Sequence, residues 1–593
     1  MHQNMCILVF ISWFVLFSCQ VFTQSVTFTD VAGQMGVTNT YNNPSFGGGV
    51  SFFDFDLDGA DDLSLASANG ENIYLYKNEG NAFAYVSEDL NISNLMHSRA
   101  ILWADYDNDG DQDLFVVNNN YHNLLFNNHN MKFTDVTESS GISITSNNSS
   151  GACFGDFNND GWLDLYVITY HEAQPNRLYK NNGDGTFTDV TALAGVGDTS
   201  KVPLAVVFVD YNNDGWQDIY IANDKMDGNT LFKNDGDGTF SDVSAQSGAD
   251  FIGNCMGIAV GDYDNDLDLD LYISNSSEGN GLLKNNGDGT FTQIAEQLGI
   301  AVHRICWGVN FFDMDNDTDL DLFVAVSKGI DGQDFGYQNV LFENNGDGTF
   351  TQTSSTGINS DSSYSFGTSI GDFNSDGFYD IAVMNSAPYP FELWANSGNS
   401  NNWIKIKLNG IESNKNGIGS ILEFFVQDKH FIRSTHCGIS YLSQNNLPDI
   451  YGVGDAETID SIKIYWSGGT VDILYDVNVN QIITVTEGET LVNIGQLSEI
   501  PFEFNIEQNY PNPFNPETRI RFSLAADSDV KIKIFNALGE QVDLLVNKFL
   551  PAGEHEVSFN ATGLNSGVYF YRMEIRNLDK HLYSPVRKMS FIK

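Results

Sequence analysis

Positive charge is what this chain has least of. In 593 residues, 28 Lys+Arg stand against 78 Asp+Glu, for a formal net charge of −50. A field of that sign repels phosphate backbones and anionic headgroups, so nucleic acid and anionic membrane surfaces are poor partners. Long apolar runs are scarce too. Residues 5–17 form the one extended run. It is too short to cross a bilayer comfortably and reads as the core of a signal peptide over 1–24, although no Lys or Arg precedes it. No transmembrane segment is expected. The sequence patterns of catalysis are missing as well: no Gly-x-Ser-x-Gly, no His-Glu-x-x-His, no phosphate-cradling glycine loop, and no CxxC or Cys/His zinc spacing. Disorder is excluded, because 41% hydrophobic and 13% aromatic residues suffice for a sizeable core.

What is there is an acidic loop, D-x-[DN]-x-D-x-x-x-D, that returns seven times at intervals of 51, 51, 54, 52, 51 and 59 residues. Counted from the first Asp, positions 1, 3, 5 and 9 of loop one are Asp54, Asp56, Asp58 and Asp62. In loop two they are Asp105, Asp107, Asp109 and Asp113; in loop three Asp156, Asn158, Asp160 and Asp164; in loop four Asp210, Asn212, Asp214 and Asp218. Loop five has Asp262, Asp264, Asp266 and Asp270, loop six Asp313, Asp315, Asp317 and Asp321, and loop seven Asp372, Asn374, Asp376 and Asp380. Carboxylates this dense repel one another unless a cation sits among them. Alternate residues of a tight loop can face one centre. Oxygen donors alone suit Ca²⁺ in flexible six- to eight-fold coordination, whereas Mg²⁺ demands a near-octahedral shell. Up to seven structural Ca²⁺ ions are therefore expected, with the position-seven carbonyl, Trp162 in loop three, as a further ligand. Glycine at position six (Gly59, Gly110, Gly161, Gly215, Gly377) permits a positive φ. Leu267 and Thr318 stand there in loops five and six, where strain is expected.

Each period reads as four strands. An apolar strand precedes every loop, with a small residue five places before the first Asp: Gly49, Ala100, Gly151, Ala205, Gly257, Gly308 and Gly367. That suits strands crowded round an axis. A second strand follows the loop, a third ends in a glycine turn such as Asn182-Gly-Asp-Gly185, and a fourth reads like Thr186-Phe-Thr-Asp-Val190. The first such fourth strand, Thr27–Val31, has nothing upstream to pair with, and the last repeat stops after Phe391–Asn396 without one. Each end supplies what the other lacks, which predicts a ring: an all-β, seven-bladed β-propeller over 25–400, closed by its N-terminal strand. A solenoid is the competing arrangement.

On these loops and strands the chain resembles the FG-GAP (VCBS-type) propellers, whose blade loops are like those of integrin α subunits. That resemblance implies structural Ca²⁺ between the first two strands of each blade. The alternating strands at 403–488, among them Trp403–Leu408, Gly417–Phe424 and Ile462–Gly469, resemble the ASPIC/UnbV domain that follows such propellers in cartilage acidic protein-like chains. This implies a β-rich module over 401–490. Tyr451-Gly-Val-Gly stands where relatives commonly carry a His-containing stretch. After a linker at 491–508, Asn509-Tyr-Pro-Asn-Pro-Phe-Asn-Pro516 and the terminal Arg587–Lys593 are similar to the C-terminal sorting domain of the type IX secretion system. The implication is a small β-sandwich over 509–593 that engages that secretion machinery, and a protein secreted or held at the outer surface of a Bacteroidetes-type bacterium.

Leu16-Phe-Ser-Cys19 loosely resembles a lipoprotein cleavage box, with Phe out of pattern. Once the leader is gone, Cys153, Cys255, Cys306 and Cys437 remain. Cys255 and Cys306 hold equivalent places in neighbouring repeats, and either a disulfide or two buried thiols fits. His436 and Cys437 adjoin on a strand and face opposite sides, so no dyad is expected. His303, Arg304 and Trp307 stand where they could line the axis. Trp103, Trp162, Trp216, Trp307 and Trp466 could stack on sugars, although most stand at core or loop-packing positions. The favoured function is a non-enzymatic, calcium-rigidified adhesion or binding protein, recognising a protein or glycan ligand through the loops opposite the cations. A carbohydrate-active enzyme with a propeller cleft and a structural surface-layer component are the alternatives.

Overall fold

The computed structural model describes residues 26–593 apart from 43–45, 144, 146, 328–337, 355, 361–362, 490–504, 507, 525–527, 551–552, 578–579 and 584–585. The leader, Cys19 and most of the expected linker lie outside the described residues. The chain divides into two compact units, 1–491 and 492–593. No helix among the described residues is long and apolar enough to cross a membrane.

In the first unit the acidic loops join the first two strands of four-stranded antiparallel groups. The first group is Val50–Phe53, Asp62–Leu65, Tyr74–Asn78 and Phe83–Tyr85, paired in that order. Five more follow, opening at Ser98–Ala104, Asn147–Gly155, Pro203–Val209, Ile258–Gly261 and Ile305–Phe312. The seventh holds Ser365–Gly371, Asp380–Asn385 and Glu392–Asn396, and its fourth strand is Phe28–Asp30, with Phe28 opposite Asn396 and Asp30 opposite Trp394. The complementary ends thus meet as expected. Each first strand touches those of the groups before and after it, and the first group touches the seventh, so these strands ring an axis. Groups two and three are also hydrogen-bonded, Asn119 and Tyr121 pairing with Asn148 and Asn147.

Residues 402–486 build two sheets around a single core that includes Ile404, Phe424, Ile462 and Val485. The structure places this region in the same compact unit as the ring, because residues 436–446 leave it and run into the axis. His436 Nδ1 lies 3.1 Å from the Phe208 carbonyl. Phe154 N–H donates to Cys437 O, and Ser440 and Ile258 exchange backbone hydrogen bonds. Ser440 Oγ accepts from Val309 N–H at 3.0 Å. The Gln444 amide pairs with both backbone groups of Trp103, at 2.7 and 2.8 Å. Gln444 O accepts from Phe52 N–H, and Asn446 N–H donates to Ile370 O. One short segment therefore bonds to a first strand of every group. Its approach also accounts for some of the small residues: a Cβ on Gly49 would overlap the Leu442 carbonyl, and one on Gly367 would come within 3.0 Å of Ser443 Oγ.

The second unit packs Asn505–Ile506, Glu517–Leu524 and Gly553–Asn560 against a sheet built on Ser528–Phe535 and Gly567–Asn577. Both sheets feed one core containing Ile520, Phe522, Ile532 and Tyr571, the β-sandwich the sequence predicts.

Gly49→Ala is expected to cost about 1–3 kcal/mol through overpacking against the axial segment, whereas Gly33→Ala, with open space around it, should leave the melting temperature unchanged. Thermal melts of the two variants decide it.

Candidate metal centres

The seven loops share one hydrogen-bond scheme. The position-one carboxylate accepts backbone N–H groups on both oxygens, from positions five and six; in loop one these are Asp58 N at 3.0 Å and Gly59 N at 2.9 Å. Position five accepts from the N–H of position seven, as Asp160 does from Trp162 at 3.2 Å. Gly59 has φ 93°, and Leu267 and Thr318 adopt 75° and 88° in its place, so both are held in the left-handed region by the same N–H contacts to Asp262 and Asp313. That is the strain the sequence predicted.

Position nine is the most buried. Asp62, Asp113, Asp164, Asp218, Asp270, Asp321 and Asp380 are all essentially inaccessible. In loop one, Asp62 accepts Phe55 N–H on one oxygen and Asn78 N–H, at 2.7 Å, on the other. The same pair of donors recurs in the other loops, for example Met314 and Asn344 on Asp321.

Two asparagines that sequence reading passed over tie the repeats together. The one ending each third strand turns its amide back: Asn344 Nδ2 donates to Leu320 O in its own loop and to Tyr263 O in the preceding group. Asn78 does the same to Phe373 O of the seventh group, across the point of closure. The other stands at loop position four with φ near +55°, a conformation Asn tolerates. From there Asn108 reaches Gly161 O and Asn316 reaches Gly377 O, both at 2.9 Å, in the next loop. The signal was present in the sequence as an Asn recurring at both places.

The acidic groups converge without enough positive charge. Ligand-capable oxygens of Asp54, Asp56 and Asp58 lie within 4.8 Å of one another, as do those of Asp105, Asp107 and Asp113, of Asp262, Asp264 and Asp270, and of Asp313, Asp315 and Asp321. In loops three, four and seven an Asn holds position three, so fewer carboxylates meet. Burial, chiefly, pushes Asp62 and Asp218 up to about 8 and Asp113 to about 9. For Asp315, burial and then the charges of Asp317 and Glu343 raise it to about 7. Asp264 Oδ1 is buried without a hydrogen-bond partner. An all-oxygen donor set, buried and mutually repelling, fits a hard divalent cation.

The third strand tunes this charge. Lys77 pairs with Asp56 and Asp58, Lys180 with Asp160, Lys233 with Asp214, and Lys284 with Asp264 and Asp266. The equivalent residue is Asn127 in the second group, Glu343 in the sixth and Ala395 in the seventh. Loop six therefore combines five aspartates with an added glutamate and no lysine on that strand.

The other candidates fall as follows. Cys153, Cys255, Cys306 and Cys437 are buried free thiols, so no Cys255–Cys306 disulfide exists. The His436 ring bonds to Ser434 Oγ and Phe208 O while Cys437 Sγ points to Trp103 O, so they form no dyad. His303 and Arg304 lie outward, beside Glu296 and Gln338 O; Trp307 alone of the three faces the axis. Trp103 is stacked on Phe55, and Trp466 donates to Asp472.

Known proteins agree with this layout. The FG-GAP-like repeat model matches residues 54–116, 105–167, 156–221, 210–273, 268–324 and 326–383. The ASPIC and UnbV model matches 410–492, and the secretion system C-terminal sorting domain matches 508–582. Cartilage acidic protein 1 of Homo sapiens is 24% identical over 463 residues, covering 71% of this chain and 69% of that protein. Its Xenopus tropicalis counterpart is 23% identical over 474 residues, with 71% and 70% covered. Among solved structures, the extracellular domain of a hybrid two-component system of B. thetaiotaomicron aligns at 12% identity and TM-score 0.39, over 95% of this chain and 73% of that one. PorZ of the Porphyromonas gingivalis type IX secretion system aligns at 12% identity and TM-score 0.21, over 90% and 74%. The chain belongs to the FG-GAP-like repeat family, carries an ASPIC and UnbV region, and is exported by the type IX route of a Bacteroidetes-type bacterium, to the medium or the outer surface.

Proposed function

We propose that the seven groups are the blades of one propeller and that Ca²⁺, held at positions one, three, five and nine of each acidic loop, makes it a rigid display scaffold for a protein or glycan ligand, without catalysis. The observation that carries this reading is the set of buried carboxylates meeting in the loops with too few cations to neutralise them. A bound ion supplies two positive charges among these oxygens. The chain's own part is to hold the oxygens in place through backbone N–H groups and to link each loop to the next through asparagine amides. The axis, where a cleft would have to open, is occupied by residues 436–446, which supports binding over catalysis. The type IX sorting domain is then the partner of the export machinery.

Extracellular Ca²⁺ modules bind at roughly 10⁻⁴–10⁻³ M, and at ten times the dissociation constant one site adds about 1.4 kcal/mol to folding. Calorimetric titration of the full chain should therefore find several ions, and EDTA should lower the melting temperature steeply. Fewer than two ions, or a melt indifferent to EDTA, would sink this reading. Lys284→Gln should tighten loop five, since Lys284 pairs with Asp264 and Asp266.

The metal-free protein should depend on pH. Because burial raises the folded-state pKa of Asp62, Asp113 and Asp218, the folded chain holds more protons than the unfolded one between about pH 4 and 9. Stability in EDTA should fall as pH rises through that window. In millimolar Ca²⁺ the fall should be abolished, as melts at pH 5 and 8 would reveal.

A further inference from the structure

Arg99 opens the first strand of the second group, at the mouth of the ring opposite the acidic loops. It is 2% exposed, and its Nε and Nη1 donors have no hydrogen-bond partner among the described residues. A guanidinium buried with unused donors is costly unless something accepts from it. The nearby groups do not. Tyr41 OH donates to Ser98 O at 2.8 Å and contacts His97 Nε2, and Tyr170 OH donates to Asp224 at 2.7 Å. His97 is held down at about 4 by burial and by Arg99, so it stays uncharged at neutral pH.

Around this cation the chain has built an aromatic cup. The guanidinium lies 5.0 Å from the centre of the half-buried Phe46 ring. Tyr170 packs edge-on to Phe46 at 5.3 Å and Trp307 at 6.3 Å. Trp307 is 5% exposed, and its Nε1–H also lacks a partner among the described residues. The floor is Tyr441 of the axial segment, 4.8 Å from Trp307, with its hydroxyl donating to Phe46 O. Unused donors of Arg99 and Trp307 thus sit beside the same ring, in a chain whose net charge is strongly negative.

We propose that this cup binds the single anionic group of an acidic sugar, a carboxylate or a sulfate ester, with Arg99 and the Trp307 Nε1–H as donors and Phe46 and Tyr170 as faces for the sugar ring. One guanidinium matches one negative charge, and its fork suits two acceptor oxygens. A multiply charged phosphate chain would meet the field of the acidic loops with its remaining charges uncompensated. Aromatic walls with a few placed donors are the usual composition of a small-ligand pocket. The assignment rests on the ligand-binding reading above and names the class of ligand.

The test is calorimetric titration of the full chain, in saturating Ca²⁺, with galacturonate, galactose 6-sulfate and galactose. Binding of either acidic sugar but not of galactose is expected, and which of the two binds separates carboxylate from sulfate. Arg99→Gln should weaken that binding by at least roughly tenfold. Trp307→Phe, which keeps an aromatic ring and removes the donor, should weaken it severalfold even if R99Q folds poorly. Equal binding of galactose, or no binding of either acid, would mean that water alone satisfies Arg99 and would overturn the inference. If a glycan array finds ligands whose binding ignores both variants, this inference falls while the display reading stands. If calcium-loaded chain binds no glycan or protein at all, both fall.

Discussion

One buried carboxylate per repeat organises the ring. The position-nine aspartate starts the second strand, takes a backbone hydrogen bond from the loop on one oxygen, and takes another from the end of the third strand on the other. Three parts of the repeat are thereby fixed by a single side chain, and no neutral residue of that size offers two such acceptors. The arrangement places a negative charge where water is excluded, so it is self-consistent only when protonated or neutralised. The rest of the loop can be understood as the answer to that problem. In loops two, five and six the carboxylate oxygens of positions one and three gather within reach of the position-nine carboxylate, and a glycine, or a strained Leu267 or Thr318, turns the chain tightly at position six.

Rigidity then propagates sideways. Asparagine amides reach from the third strand of every group but the second to the preceding group, and from most loops to the following one, so a loop that loosens releases hydrogen bonds in its neighbours. The axial segment adds a radial tie, since residues 436–446 bond to all seven first strands. A ring held tangentially by its asparagines and radially by its axis has few soft modes. That suits the display role proposed for the ring.

The ring's fold was legible because its signals are local and repeated. Period-two strands, loop spacing and the complementary ends Thr27–Val31 and Phe391–Asn396 each require only a few contiguous residues. The carboxylates that converge in the loops were legible for the same reason. What stayed hidden was whatever depends on residues far apart in sequence. Nothing in Cys437–Gln444 announces that it will lie against Val50 or Ile258. Arg99 reads as one of many residues at the start of a strand until Phe46 and Trp307 are brought to it. The asparagine ties were an intermediate case: their recurrence was visible, but their partners lie in neighbouring repeats and only the ring brings those within reach.

The order of parts along the chain has a consequence for how the molecule is made. Phe28–Asp30 is synthesised first but cannot pair until Glu392–Asn396 exists, and the axis stays empty until residues 436–446 follow. Contacts of such sequence separation make closure a late, slow event. The matched sorting domain, 508–582, comes only after all of them. A chain abandoned at any earlier point therefore lacks the address for export, so the position of the address in the sequence acts as a checkpoint on completeness.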